Sequence, residues 1–132
     1  MKSMLNLEGK TVLIIGAGGG IGRRTAELFS EAEVNIVISS RNEHELAELE
    51  YKLNTNGNQN VLAIAADAGI EADVKVLVDE SIEKFGSIDY LIHMAGMGVL
   101  KPFGDIMPAD FDNLINALRL HPFSSGSFCL KK

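Results

Sequence analysis

The chain of 132 residues has little of what marks several classes of protein. It has no tryptophan and only 6% aromatic residues, so it offers few side chains on which single-stranded nucleic acid could stack. Its single cysteine, Cys129, excludes a disulfide within the chain and favours a reducing compartment. No apolar run is long enough to span a membrane, and residues 1–10 lack the apolar segment of a signal peptide. We therefore expect a cytoplasmic protein that does not act at a membrane.

Basic residues are also in the minority. Lysine and arginine together number 12 against 18 aspartates and glutamates, which gives a net charge of −6. Nucleic acids and anionic lipid surfaces would repel this charge, so neither is expected as a partner. An apolar share of 46% with 23% charged residues is typical of a folded chain with a core, and the length suits one domain.

Two kinds of apolar segment alternate along the chain. Short runs rich in β-branched residues predict strands at 12–15, 34–39, 61–66 and 88–94. Segments with helical spacing predict helices at 23–31, from 42 to the polar stretch 54–58, at 71–85 and at 108–120. Crossovers between parallel strands are nearly always right-handed. The alternation therefore predicts an α/β fold with a doubly wound parallel sheet of about four strands in the order 3-2-1-4.

The helix ends and faces are also readable. Asn42 is placed to cap the second helix, and Glu45 is placed to bond back to it, as in a capping box. Gly86 suits the end of the third helix and Pro108 the first turn of the fourth. The expected apolar faces are Ile21, Thr25, Leu28 and Phe29; Leu46, Leu49 and Leu53; Val74, Leu77, Val78, Ile82 and Phe85; and Phe111, Leu114, Ile115 and Leu118.

A glycine-rich segment follows the first predicted strand directly. Gly16, Gly20 and Gly22 form the pattern Gly-x-x-x-Gly-x-Gly, with Gly18 inside it. Gly16 allows the turn, Gly20 lets a pyrophosphate approach the backbone, and Gly22 lets the helix pack closely on the strand. The unpaired N–H groups and partial positive charge of a helix start favour such an anion. The alternative is a glycine-rich turn without a ligand.

Further motifs at the ends of later strands occur in an order known from one family. Together with residues 7–22, the segments Ser39-Ser40-Arg41-Asn42, Asp67-Ala68 and His93-Met94-Ala95-Gly96 resemble the N-terminal half of a short-chain dehydrogenase/reductase, over residues 7–118. The resemblance implies a truncated Rossmann-like dinucleotide-binding domain over residues 1–120 and oxidoreductase chemistry. Residues 121–132 form an atypical tail that is either frayed or contains a short strand at 127–130.

The resemblance assigns several cofactor contacts by position. Ile21 would lie beneath the cofactor, and Asp67 with the N–H of Ala68 would hold the adenine edge. Ala95 and Gly96 would let the ribose lie against the backbone. Asp67 has a second interpretation, as the cap of the helix that follows it.

The cofactor preference is predicted from the residues after the second strand. A free ribose 2′-hydroxyl requires a carboxylate there, whereas a 2′-phosphate requires a cation. Arg41, beside Ser40 and Asn42, resembles the pattern that prefers NADP(H), and Arg23 and Arg24 add positive charge nearby. We therefore expect NADP(H) rather than NAD(H). The alternative is that Arg41 is a solvated loop residue.

The residues that transfer hydride in this family have no counterpart here. The family uses a serine on a fifth strand and a Tyr-x-x-x-Lys pair, in which the lysine lowers the pKa of the tyrosine that acts as acid and base. Only Tyr51 and Tyr90 are present, and neither precedes a lysine by four residues. Leu118 stands where a catalytic asparagine is expected. No catalytic residue is assigned, His93 is interpreted as structural, and no metal site is expected.

Three functions fit these observations. The first is a short-chain dehydrogenase-like chain that binds NADP(H) but does not transfer hydride alone. The second is a non-catalytic nucleotide-binding or sensing module. The third is an interaction protein, because apolar residues 88–92 would lie on a strand that a fifth strand covers in the family. An uncovered apolar edge favours a homo-oligomer, unless the tail folds back over it.

Overall fold

The computed structural model describes residues 6–57, 60–96 and 100–118. Over these ranges strands and helices alternate: β1 (Thr11–Ile15), α1 (Gly20–Ser30), β2 (Asn35–Ser40), α2 (Glu43–Thr55), β3 (Val61–Ala65), α3 (Glu71–Phe85), β4 (Tyr90–His93), a 3₁₀ turn (Phe103–Asp105) and α4 (Pro108–Leu118). The strands form one parallel sheet in the order β3-β2-β1-β4. The predicted fold class and strand order are confirmed, while the predictions for residues 119–132 lie outside the described residues.

The sheet separates two apolar clusters. Alternate residues of a strand face opposite sides, and every residue of β1 is buried, as a central parallel strand requires. One cluster joins the sheet to α1 and α2 through Val12, Ile14, Ile36, Ile38, Ala26, Leu46, Leu49 and Leu53. The other joins it to α3 through Leu13, Ile15, Val37, Ile64 and Leu77.

Helix α2 packs through the predicted face, since Leu46, Leu49 and Leu53 are all buried. Its capping box is only half formed. The Asn42 side chain accepts the N–H groups of His44 and Glu45 at 3.1 and 3.2 Å. The N–H of Asn42, however, donates to Ser40 Oγ at 3.0 Å. The prediction that Glu45 bonds back to Asn42 is therefore wrong, because Ser40 already accepts that hydrogen.

The predicted buried face of α1 is wrong as well. Ile21 is 74% exposed and Leu28 is 40% exposed. The buried residues are Gly22 and Ala26, with Phe29 partly buried against the first cluster. Small side chains let the helix approach the end of β1 closely, and this turns the larger apolar residues outward.

Helix α3 follows its prediction at both its face and its end. Val74, Leu77 and Val78 are buried, while Ile82 and Phe85 are partly buried. Gly86 has a φ of +84° and donates its N–H to the carbonyl of Ile82. A left-handed conformation at this point is the usual reason for glycine after a helix.

Among the described residues, several apolar side chains of β4 and α4 are exposed. Strand β4 is shorter than predicted, and within the described ranges it pairs with β1 alone. Its residues Tyr90 and Leu91 are exposed. On α4, Phe111, Ile115 and Leu118 are exposed rather than packed on the sheet. In the first turn of α4, the Asp110 carboxylate accepts the N–H of Met107. It also forms an ion pair with Lys101, and this contact lowers the pKa of Asp110. None of the helices described is both long and apolar enough to cross a membrane.

Candidate functional site

A cavity of about 320 Å³ opens where the carboxyl ends of all four strands meet. The chain continues from β1 to β2 on one side and returns to β4 on the other. Open α/β sheets bind ligands at this reversal of strand order. The cavity is lined by Ile15, Gly16, Gly18, Gly19, Ser40, Arg41, Asn42, Glu45, Ala66, Asp67, Ala68, Met94, Ala95 and Gly96.

Most of the residues predicted to contact a cofactor lie together on this cavity. They are Gly16, Gly18, Ser40, Arg41, Asp67, Ala68, Ala95 and Gly96. Gly20, Ile21 and Gly22 do not line it and form the first turn of α1 beside it. Glu45, predicted only as a capping residue, lines the cavity together with Gly19.

Two of the glycines serve the packing of the turn. Gly16 has a φ of +83°, and a Cβ there would collide with the backbone of Met94 and Ala95. A Cβ on Gly22 would collide with the carbonyl of Gly16. These two glycines therefore bring β4 and α1 close to the end of β1, as the spacing predicts for Gly22.

The open backbone of the glycine segment lies at the start of α1. The N–H groups of Gly16 and Ala17 both donate to the Ser39 carbonyl, at 2.8 and 3.1 Å. The bond from Arg23 N–H to the Gly19 carbonyl opens the helix, so the N–H groups before Arg23 have no intrahelical acceptor. A Cβ on Gly19 or Gly20 would meet nothing within 4 Å. The backbone suited to an anion is therefore residues 19–22, and not the whole turn.

Arg23 and Arg24 are engaged away from the cavity. Arg23 pairs with Glu48 at 3.0 Å, and Arg24 pairs with Glu27 at 3.0 Å. Lys52 donates to the same Glu27 carboxylate at 2.6 Å. The bonds from Lys52 and then Arg24 lower the pKa of Glu27. Neither arginine lines the cavity, and the positive charge that the sequence predicts near Arg41 is paired with Glu48 and Glu27.

Arg41 differs from these two arginines. It lines the cavity, its side chain is exposed, and no described carboxylate forms an ion pair with it. Its guanidinium keeps its donors available to an anion.

Glu45 and Ser40 place polar groups above Gly18. A Cβ on Gly18 would lie 2.5 Å from Glu45 Oε2 and 2.8 Å from Ser40 Oγ. A glycine at position 18 therefore makes room for these two side chains. The signal for Glu45 was present in the sequence, because α2 begins at the sheet edge that holds Arg41 and Glu45 lies in its first turn.

Asp67 stabilises the turn between β3 and α3. Its Oδ1 accepts the N–H of Gly69 at 2.8 Å, and its own N–H donates to Asp73 at 2.9 Å. The N-cap residue of α3 is Ile70, which has no side-chain cap. The alternative interpretation of Asp67 as the cap of α3 is therefore wrong, and Asp67 lines the cavity.

His93 connects the end of β4 to the end of α4. Its Nε2 lies 3.1 Å from the carbonyl of Leu118, so this nitrogen carries the hydrogen. Its Nδ1 is buried without a partner in the described part of the chain. Tyr51 is exposed on α2, and Tyr90 begins β4 at the end far from the cavity. Over the described ranges, no group of three or more His, Cys, Asp or Glu side chains is placed to hold a metal ion.

Comparisons with known proteins agree with this architecture. The family model described as short chain dehydrogenase matches residues 10–120. An 11-beta-hydroxysteroid dehydrogenase of Pinus massoniana is 42% identical over 93 residues, which cover 70% of this chain and 26% of that protein. A short chain dehydrogenase/reductase of Macrophomina phaseolina is 33% identical over 127 residues, covering 96% of this chain and 73% of the relative.

Solved structures show the same likeness. The 3-ketoacyl-(acyl-carrier-protein) reductase from Brucella melitensis complexed with NADH has a TM-score of 0.78 at 33% identity, over 84% of this chain and 45% of that one. A short chain dehydrogenase/reductase from Burkholderia phymatum in complex with NAD has a TM-score of 0.81 at 28% identity, over 86% and 40%.

The chain thus spans from about a quarter to one half of the length of most of these relatives. Because the family model matches most of the chain, and a relative at 33% identity is covered over 73% of its length, the chain belongs to the short-chain dehydrogenase family.

Proposed function

We propose that residues 1–120 form a domain that binds a nicotinamide dinucleotide across the carboxyl edge of the sheet. The observation that carries this proposal is the cavity where the strand order reverses, which joins the open start of α1 to Arg41 and Asp67. Two similar structures are described with NADH and NAD, which supports this class of ligand. A volume of 320 Å³ is at the lower end of the range for small-molecule sites, roughly 300–1,000 Å³.

The residues present fit such a ligand in three places. The backbone of residues 19–22 suits the pyrophosphate, since it has open space and unpaired N–H groups at a helix start. Asp67 and Ala68 suit the adenine edge. Ala95 and Gly96 suit a ribose, because their small side chains leave the backbone open at the cavity. The exposed side chain of Ile21 is available beneath the ligand.

Arg41 supports a preference for NADP(H). It is a cavity-lining cation without an ion pair among the described residues, and a 2′-phosphate needs a cation at this position. Action in the cytoplasm remains our expectation from the single cysteine.

These 132 residues do not transfer hydride by themselves in this proposal. A bound nicotinamide supplies the hydride, but neither tyrosine lies on the cavity or precedes a lysine by four residues. The test is an assay of the purified chain with NADPH and a panel of ketones and aldehydes. We expect no oxidation of NADPH above the buffer rate, and turnover would overturn this part of the proposal.

The binding site itself is tested by Gly19→Asp. Gly19 is the N-cap residue of α1 and has an extended backbone, with a φ of −153°. Aspartate is a favourable N-cap, so the variant should fold with unchanged or higher stability. Its charge would meet the pyrophosphate, so we expect the affinity for NADH and NADPH in calorimetry to fall by about tenfold or more.

Gly19→Asn is the matched control, because it has the same shape without the charge. We expect it to bind both dinucleotides more tightly than Gly19→Asp does. If Gly19→Asp binds as tightly as the wild type, the pyrophosphate does not lie at the start of α1. If the wild type binds neither dinucleotide, the proposed function is wrong.

Self-association is a second candidate function, with the partner being another copy of this chain. In the part of the chain that the structure describes, strand β4 is an edge of the sheet, and exposed apolar residues lie on it and on α4: Tyr90, Leu91, Phe111, Ile115 and Leu118. An open strand edge with apolar side chains favours pairing with another chain. Light scattering across a range of concentrations tests this, and a strict monomer at high concentration would contradict it.

A further inference from the structure

Two groups of opposite charge line the same end of the cavity. Arg41 follows β2 directly, and Glu45 lies in the first turn of α2. The Glu45 carboxylate is directed at Gly18, since a Cβ on that glycine would lie 2.5 Å from Oε2. A ligand held between the start of α1 and Arg41 would therefore meet a carboxylate as well as a guanidinium.

The Glu45 carboxylate takes no part in the contacts that hold the described residues together. Asn42 caps α2, and the N–H of Asn42 that a capping box would give to Glu45 goes to Ser40. The ion pairs between α1 and α2 use Glu27 and Glu48. No described side chain or backbone group bonds to the Glu45 carboxylate, so its acceptor oxygens are available at the cavity.

We propose that Glu45 is a specificity-determining residue for the adenosine ribose. This inference rests on the proposed function. The Glu45 carboxylate accepts a hydrogen bond from a ribose 2′-hydroxyl, and it repels a 2′-phosphate, which carries more than one negative charge at pH 7. Arg41 has the opposite effect on each ligand. The cavity therefore holds one residue that favours each dinucleotide, and Glu45 limits the preference for NADP(H) that Arg41 confers.

The absence of a side chain at Gly18 allows the Glu45 carboxylate to occupy its position at the cavity. The atoms that a Cβ on Gly18 would displace are Glu45 Oε2 and Ser40 Oγ, both at the ends of side chains. In Gly18→Ala both the Glu45 carboxylate and the Ser40 hydroxyl must move. Gly18→Ala therefore changes the position of the Glu45 carboxylate without changing its charge.

The test measures the affinities for NADH and NADPH by calorimetry in the wild type, Glu45→Gln and Glu43→Gln. Glu43 is exposed in the same turn of α2 and does not line the cavity, so Glu43→Gln removes an equal charge from the same helix start. In Glu45→Gln we expect NADPH to bind about tenfold more tightly and NADH to bind more weakly. In Glu43→Gln we expect the ratio of the two dissociation constants to stay within about twofold of the wild type.

Gly18→Ala should shift the ratio in the same direction as Glu45→Gln, and it should add little in the double variant. If both dinucleotides bind the wild type but Glu45→Gln and Glu43→Gln have the same ratio, Glu45 does not read the ribose and the proposed function stands. If the wild type binds neither dinucleotide, both proposals are overturned.

Discussion

At the scale of single residues, the glycines of the turn have different tasks although they lie within seven positions of one another. Gly16 and Gly22 are required by backbone that would collide with a Cβ, and Gly18 makes room for the ends of two polar side chains. Gly19 and Gly20 leave open space at the helix start. Gly20 also has a positive φ, of +57°, so a side chain there would strain the backbone. Substitution at Gly19 should therefore alter binding with little effect on stability, whereas substitutions at Gly16, Gly20 or Gly22 should reduce stability.

Arg41→Ala tests the residue that we propose reads the 2′-phosphate. We expect the affinity for NADPH to fall by about tenfold, because a charge-assisted contact is lost, while the affinity for NADH changes by less than about twofold. Calorimetry measures both. Arg24→Ala is the control, since Arg24 is an arginine engaged with Glu27 outside the cavity. An equal loss for both dinucleotides would remove Arg41 as the residue that discriminates between them.

Ser39→Ala should leave the fold as stable or make it more stable. Ser39 is fully buried in β2, and its Oγ has no hydrogen-bond partner within the described ranges. A buried hydroxyl without a partner has lost its hydrogen bonds to water and has formed none in the protein, so its burial destabilises the fold. We expect the free energy of unfolding in urea to rise by up to about 1 kcal/mol. A fall of that size would show that the hydroxyl has a partner in solution.

At the scale of elements, charged side chains connect α1 to α2. Glu27 on α1 accepts hydrogen bonds from Arg24 on its own helix and from Lys52 on α2, and Arg23 pairs with Glu48 on α2. The contact between the two helices thus includes the Glu27 carboxylate, whose pKa is lowered by its bonds to Lys52 and Arg24. This matters for the site, because α1 supplies the open N–H groups and α2 supplies Glu45.

The lowered pKa of Glu27 predicts how this connection depends on pH. A carboxyl group with a lower pKa in the folded chain stabilises the fold above its unfolded pKa, for which 4.5 is the ordinary value, and this contribution is lost as the pH falls through the folded pKa. We expect Glu27→Gln to reduce the free energy of unfolding at pH 7 by about 0.5 kcal/mol. The difference from the wild type should shrink on acidification below pH 4.5.

Urea denaturation over this pH range measures the effect. Glu80→Gln, an exposed residue on α3, controls for the change in net charge. A difference between Glu27→Gln and the wild type that stays constant with pH would contradict the assignment of the stabilisation to the Glu27 charge.

At the scale of the whole molecule, the two edges of the described sheet, β3 and β4, differ in how far helices cover them. Among the described residues, β3 and β4 are both edge strands. The α2 leucines pack in one cluster with Val61 of β3, whereas Tyr90 and Leu91 of β4 and the apolar residues of α4 are exposed. The chain spans about half the length of the solved structures to which it is similar. The exposed side is therefore where a second copy would bind if the chain self-associates.

Leu91→Lys tests self-association through this edge. A lysine on an edge strand opposes strand pairing, so we expect the variant to be monomeric at concentrations where the wild type forms an oligomer. Light scattering after size-exclusion chromatography measures the mass of each. Tyr51→Lys, which adds the same charge to an exposed position on α2, should leave the oligomer intact. Dissociation by both variants would point to net charge and not to the edge of β4.

The sequence predicted the fold well because its signals are local and repeated. β-Branched runs marked the strands, Leu46, Leu49 and Leu53 marked the face of α2, and the right-handed crossover rule ordered the sheet. The same local reasoning failed for α1. There Gly22 and Ala26 are buried and Ile21 is exposed. The helix lies so close to the end of β1 that only small side chains fit between them.

The sequence by itself determined the order of the elements and the edge of the sheet at which the glycines, Arg41 and Asp67 meet, since both follow from periodicity and chain direction. Only the tertiary structure decided which charges face the cavity. Arg23 and Arg24 form ion pairs with Glu48 and Glu27. Glu45 does not bond to the Asn42 N–H, because Ser40 accepts that hydrogen. The physical reason is that the partner of a charged side chain depends on which groups the fold brings within hydrogen-bond distance of it. These groups are often far apart in the sequence, as Arg23 and Glu48 are.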